Sequence, residues 1–101
     1  MKKVINYKMY DTDTARKLLT TDNGFARGSY YYEIETLYKK MNGEYFLLGE
    51  GGEISKYGII VGPQVQPGIR FIPLGVGDAK KWVAENFDGD TYTDIFGKVD
   101  E

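Results

Sequence analysis

The dipeptide Asn42-Gly43 lies between two runs rich in tyrosine and branched aliphatic residues, and it constrains this chain more than any other feature. Asn-Gly is the pair best suited to positive φ at both corners of a two-residue hairpin turn. The run Ser29 to Lys40 before it carries Tyr30, Tyr31, Tyr32, Ile34, Thr36, Leu37 and Tyr38, and Glu44 to Leu48 after it carries Tyr45, Phe46 and Leu47. Both compositions suit a half-buried pleated surface. A two-residue turn at Asn42-Gly43 sets Met41 opposite Glu44, Lys39 opposite Phe46, Leu37 opposite Leu48 and Glu35 opposite Glu50. The second face then pairs Lys40 with Tyr45 and Tyr38 with Leu47. Both faces are substantially apolar, so one is expected to meet helices. The other is covered by a later part of the chain or offered to a partner.

Around this hairpin the remaining elements read in order. Lys3 to Tyr10 is expected as a first strand. Asp11-Thr12-Asp13-Thr14 supplies helix-start oxygens, and Ala15, Leu18 and Leu19 follow at helical spacing, so a short N-terminal helix is expected there. Thr20 to Gly28 is a loop containing Asp22-Asn23-Gly24. Gly49 to Gly68 is glycine-rich, with Tyr57 to Val61 a strand or a packed loop, and Gly68 to Leu74 is another strand. Asp78 caps a helix in which Ala79, Trp82, Val83 and Phe87 share a face, with Gly89 as its stop. Asp90 caps a last helix burying Tyr92, Ile95 and Phe96 and closed by Gly97. The whole of 1–101 reads as one α+β domain. An antiparallel sheet is built on the tyrosine-rich hairpin, with a short N-terminal helix and two C-terminal helices packed on it.

Composition removes several chemistries. The chain has no Cys and no His, so disulfides, thiolate nucleophiles, imidazole bases and histidine metal sites are not open to a single chain. Gly49-Glu50-Gly51-Gly52 lacks the strand-to-helix setting and following lysine of a phosphate loop, and its glutamate repels phosphate. Asp88, Asp90 and Asp94 fail the calcium-loop spacing and read as helix caps. Glu33 and Glu35 share a strand face and Glu50 is set opposite Glu35, but solubilising charge explains them without catalysis. Ser55-Lys56 lacks the spacing of a serine–lysine nucleophile. No enzyme activity, metal or cofactor is expected. No signal region or 18-residue apolar run is present, which points to a cytoplasmic protein with no membrane partner.

Net charge is −2, but it is unevenly distributed: residues 1–43 hold eight Lys/Arg against five Asp/Glu, and 78–101 hold three against seven. The bases Lys2, Lys3, Lys8, Arg16, Lys17, Arg27, Lys39 and Lys40 interleave with tyrosines, the composition of a surface that attracts phosphates and stacks bases. Nucleic-acid binding through this N-terminal half is therefore the alternative to protein binding.

Several runs carry a resemblance: Lys8 to Ala15, Glu35 to Tyr38, Asn42 to Leu47, Gly49 to Gly52, Ser55 to Tyr57, Ile72 to Leu74, Ala79 to Glu85 and Tyr92 to Gly97. In that order they resemble small proteins of phages and integrative elements of Gram-positive bacteria, with departures at Gly75 to Asp78 and in the Val61 to Gly68 insert. The resemblance implies an anti-defence role of the anti-CRISPR type. On that reading a non-enzymatic inhibitor docks onto a protein or ribonucleoprotein of the bacterial host. The contact is expected at Tyr30, Tyr31, Tyr32, Tyr38, Lys39 and Lys40 of the first hairpin strand and Tyr45 and Leu47 of the second. A homodimer is a further expectation, since a second copy could cover an open apolar face.

Overall fold

The computed structural model describes residues 1–101 and shows an α+β chain with antiparallel sheets and two helices. A four-stranded sheet has the order β3 (Arg16–Asp22), β4 (Glu33–Lys39), β5 (Tyr45–Gly51) and β8 (Gly68–Leu74). Two separate hairpins are formed by β1 (Lys2–Ile5) with β2 (Lys8–Asp11), and by β6 (Ile59–Val61) with β7 (Gln64–Gln66). Helices α1 (Val76–Asn86) and α2 (Gly89–Phe96) lie against one face of the main sheet.

The N-terminal helix is absent. Residues 12–15 form a turn, and Arg16–Asp22 is the edge strand β3. The helical spacing of Ala15, Leu18 and Leu19 has a different cause. A β-bulge between Lys17 and Leu19 inserts Leu18 as an extra residue. Adjacent leucines can then both pack on the helix-side core, which strict alternation forbids. The first strand is likewise two strands, joined at Asn6 and Tyr7 with φ of 51° and 66°. That is a mirror-image turn made without glycine, which is why the sequence conceals it.

The turn at Asn42-Gly43 is present but three residues long. Lys40 N–H donates to Glu44 O at 2.7 Å and Gly43 N–H to Lys40 O at 2.9 Å, so Met41, Asn42 and Gly43 form the loop. Only Gly43 takes positive φ (91°), while Asn42 Oδ1 accepts the amide N–H of Glu44 at 3.0 Å. The register moves by one residue: Lys39 faces Tyr45, Leu37 faces Leu47, Glu35 faces Gly49 and Ile34 faces Glu50. This slip decides which residues share a face, because strand side chains alternate.

On one face Leu37, Tyr45 and Leu47 bury against Ala79, Trp82 and Val83 of α1, with Phe87, Tyr92 and Phe96 around them. On the other, Tyr38, Phe46 and Phe71 bury with Tyr10 of β2. Tyr10 meets Phe46 edge-on at 5.5 Å, and Tyr38 stacks on Phe46 at 5.1 Å. The second face is thus covered in part by the earlier hairpin, not by a later segment.

At the C-terminal end the helix boundaries differ from expectation. Gly75 is the N-cap of α1 and Asp78 lies in its first turn. Phe87 ends α1, and Gly89 opens α2 instead of stopping α1. Asp88, not Asp90, caps α2 by accepting Thr91 N–H at 2.9 Å, and Gly97 closes it at φ 89°.

Candidate protein-docking end

The sheet has two unlike ends. The first three residues of β4 and the last three of β5 lie at one end, together with the start of β8 and the end of β3. The connections that leave this end are long, Asn23 to Tyr32 and Gly52 to Pro67, so both emerge side by side. The opposite end holds the Met41 to Gly43 loop, the β8–α1 junction and contacts to the N-terminal hairpin.

The long loops are held by close backbone packing. Gly52 N–H donates to Tyr32 O at 2.9 Å and Ile54 N–H to Tyr30 O at 2.8 Å. A Cβ on Gly52 would meet the carbonyls of Ser29 and Tyr30, and one on Gly49 would meet the ring of Tyr57. The glycine run therefore lets two loops and a buried tyrosine lie against the strand end, which no other residue type allows.

A carboxylate ties this end to the helices. Glu35, whose side chain is 15% exposed, accepts from Trp82 Nε1 at 2.9 Å, from the Tyr57 hydroxyl, and from Lys56 Nζ at 2.9 Å. Burial alone would raise its pKa, but these three donors prevail and hold it below the usual carboxylate value. Burial and the same carboxylate push the Tyr57 phenol up. Glu35 thus joins β4, the 52–58 loop and α1, with every bond satisfied. Glu50, expected beside it, lies on the other face and pairs with Arg27 at 2.7 Å. Glu33 shares the side of Glu35 but accepts Lys56 N–H at 3.1 Å. No group of three or more acidic side chains is arranged to share a metal ion.

The eight residues expected to contact a partner are divided by the fold. Tyr38 is buried at 7% exposure in the Phe46 cluster. Tyr45 and Leu47, at 8% and 5%, are in the helix-side core, and Tyr32, at 8%, lies 5.9 Å from the Arg27 guanidinium of the same loop. Lys40 lies 3.8 Å over the Tyr10 ring and pairs with Glu44 at 3.1 Å, while Lys39 is half-buried near Tyr45. Only Tyr30 and Tyr31, more than half exposed, present rings to solvent. They sit outside β4, in the loop that precedes it.

Tyr30 and Tyr31 are joined by side chains that the sequence did not single out. Phe25 packs on Tyr31 at 5.6 Å between ring centres, and Ile54 is exposed beside Tyr30. From the same end projects the β6–β7 arm, every residue of which is exposed, including Ile59, Ile60, Val61 and Val65. One signal for it was visible in the sequence: residues 57–69 contain no charged side chain. No known protein family, curated protein or solved structure matches the chain. No helix is long and apolar enough to cross a membrane.

Proposed function

We propose that this chain is a non-enzymatic binding protein that docks onto a protein or ribonucleoprotein of a bacterial host, as an anti-defence inhibitor of the anti-CRISPR type. One observation carries the binding role. Exposed aromatic and branched side chains of two loops and an arm gather at one end of the sheet, and the arm lies in a stretch without charged side chains. Isolated exposed apolar residues are ordinary, but such a concentration on one end marks an interaction surface. A two-stranded ribbon is at best marginally stable alone, so covering the arm would also stabilise it. The inhibitor role rests on the resemblance to small proteins of phages and integrative elements.

The nucleic-acid alternative finds less support in the fold than in the sequence. Tyr30 and Tyr31 are at the loop end, where Arg27 and Lys56 are already paired with Glu50 and Glu35. Arg16 and Lys39 are at the other end of the strands.

The test is affinity capture from a bacterium carrying an active defence system, compared between the native chain and an Ile60→Asp/Tyr31→Ser variant. The expected result is a stoichiometric defence component retained by the native chain and lost by a variant of unchanged melting temperature. Absence of any such component from the native sample defeats the inhibitor role. Equal capture by the variant moves the contact elsewhere.

A further inference from the structure

At the end of the sheet opposite the docking surface, Arg16 lies directly across from Lys39 on neighbouring strands, so two cations point to the same face. Like charges directly opposite one another cost stability in a sheet. The row continues across β5 and β8 as Tyr45 and Leu74. Lys39 Nζ is 5.5 Å from the centre of the Tyr45 ring, Tyr45 is 5.7 Å from Phe96 of α2, and Lys80 Nζ of α1 is 5.9 Å from the Phe96 ring. Two cations from two elements, Lys39 and Lys80, thus flank one aromatic pair, and Arg16 of a third element lies across from Lys39. None of the three has a carboxylate within 4 Å, which is also true of Lys2, Lys3, Lys17, Arg70 and Lys98; the cross-strand opposition and the shared aromatic pair set these three apart.

We propose that Arg16, Lys39 and Lys80 form a binding site for an acidic protein segment, whose carboxylates relieve the repulsion the free chain carries. The ring faces favour this class of anion over a nucleic-acid strand. Single-strand binding needs exposed rings for base stacking, whereas Tyr45 is 8% exposed, the exposed rings of Tyr30 and Tyr31 are at the other end of the sheet, and the exposed Tyr7 belongs to the hairpin that packs on the opposite face. The chain's own acidic tail does not occupy the site. Val99 lies in a groove with Phe87, Gly89 and Tyr92, so the tail runs back along α2 towards its start. The site does not depend on the docking role, since it lies roughly 20 Å away along seven-residue strands that rise about 3.3 Å per residue.

The probes are a ten-residue glutamate peptide and a ten-residue oligothymidylate, titrated at low salt into the native chain and an Arg16→Gln/Lys39→Gln/Lys80→Gln variant. The glutamate peptide is expected to bind the native chain more tightly than the oligonucleotide does. The variant is expected to bind it roughly tenfold more weakly, the combined effect of three solvent-accessible charge contacts. The single change Arg16→Gln should raise the melting temperature of the free protein by removing one of the opposed cations. Equal peptide binding by native and variant chains overturns the site. Tighter oligothymidylate binding overturns the acidic-segment assignment, and a lowered melting temperature for Arg16→Gln overturns the claim of unrelieved repulsion.

Discussion

The indole N–H of Trp82 donates to Glu35 Oε1 at 2.9 Å, joining residues 47 positions apart and fixing α1 to the centre of the sheet. Trp82 is 9% exposed, and its ring also meets Phe87 at 5.7 Å, so the bond is shielded on the helix side. Leaving a buried polar group without its partner costs more than a hydrogen bond contributes when made, which sets the size of the effect expected on breaking it.

Replacing Trp82 by Phe keeps an aromatic ring but removes that donor, and should destabilise the protein by about 1–3 kcal/mol. Glu35→Gln should weaken the bonds from Trp82, Tyr57 and Lys56 together. A urea-denaturation double-mutant cycle should show the two changes coupled by at least about 0.5 kcal/mol. Additive losses would mean that the bond contributes nothing beyond packing.

Acid should destabilise the chain across a defined window. The folded Glu35 carboxyl is held below the ordinary value of 4.5 despite burial, and Glu44 is held at about 2 by Lys8, Asn42 and Lys40. A carboxylate with a depressed folded pKa binds protons more readily when unfolded, so its contribution is complete above 4.5 and is lost as pH falls through the folded value. The urea midpoint should therefore decline from about pH 4.5 towards pH 2. Glu35→Gln should make that decline shallower. An unchanged slope in the variant would show that other groups govern acid unfolding.

Two positive-φ positions should respond in opposite ways to substitution. Gly43 at φ 91° has open space around it, so Gly43→Ala adds no clash but strains the backbone, costing about 1 kcal/mol. Tyr7 at φ 66° has a fully solvent-exposed side chain, so Tyr7→Gly removes strain without removing packing and should stabilise by up to about 1 kcal/mol. Thermal melts of the two variants would check both signs, and a destabilising Tyr7→Gly would refute the strain assignment.

The amino-acid sequence by itself determined the elements whose signals are local. Gly68 to Leu74 is a strand over the expected residues, and Ala79, Trp82 and Val83 line the buried face of α1 as their spacing requires. The position of the turn at Asn42-Gly43 was legible too, because glycine readily takes the positive φ that Gly43 adopts, but its length was not. Tertiary structure decided what depends on distant partners. Leu18 and Leu19 read as helical until β4 is present to pair with β3 and absorb the extra residue as a bulge. The one-residue shift at Met41 to Gly43 comes from Asn42 capturing the Glu44 amide, and it moves Glu35 from Glu50 to Gly49. The candidate site followed the same division. Tyrosines alike in sequence became core at 32, 38 and 45 and surface at 30 and 31, because burial is set by β2, the helices and the loops that pack on each. Residue type gave the affinity of these rings for a pleated surface. Only the packing of remote segments fixed which rings still face solvent.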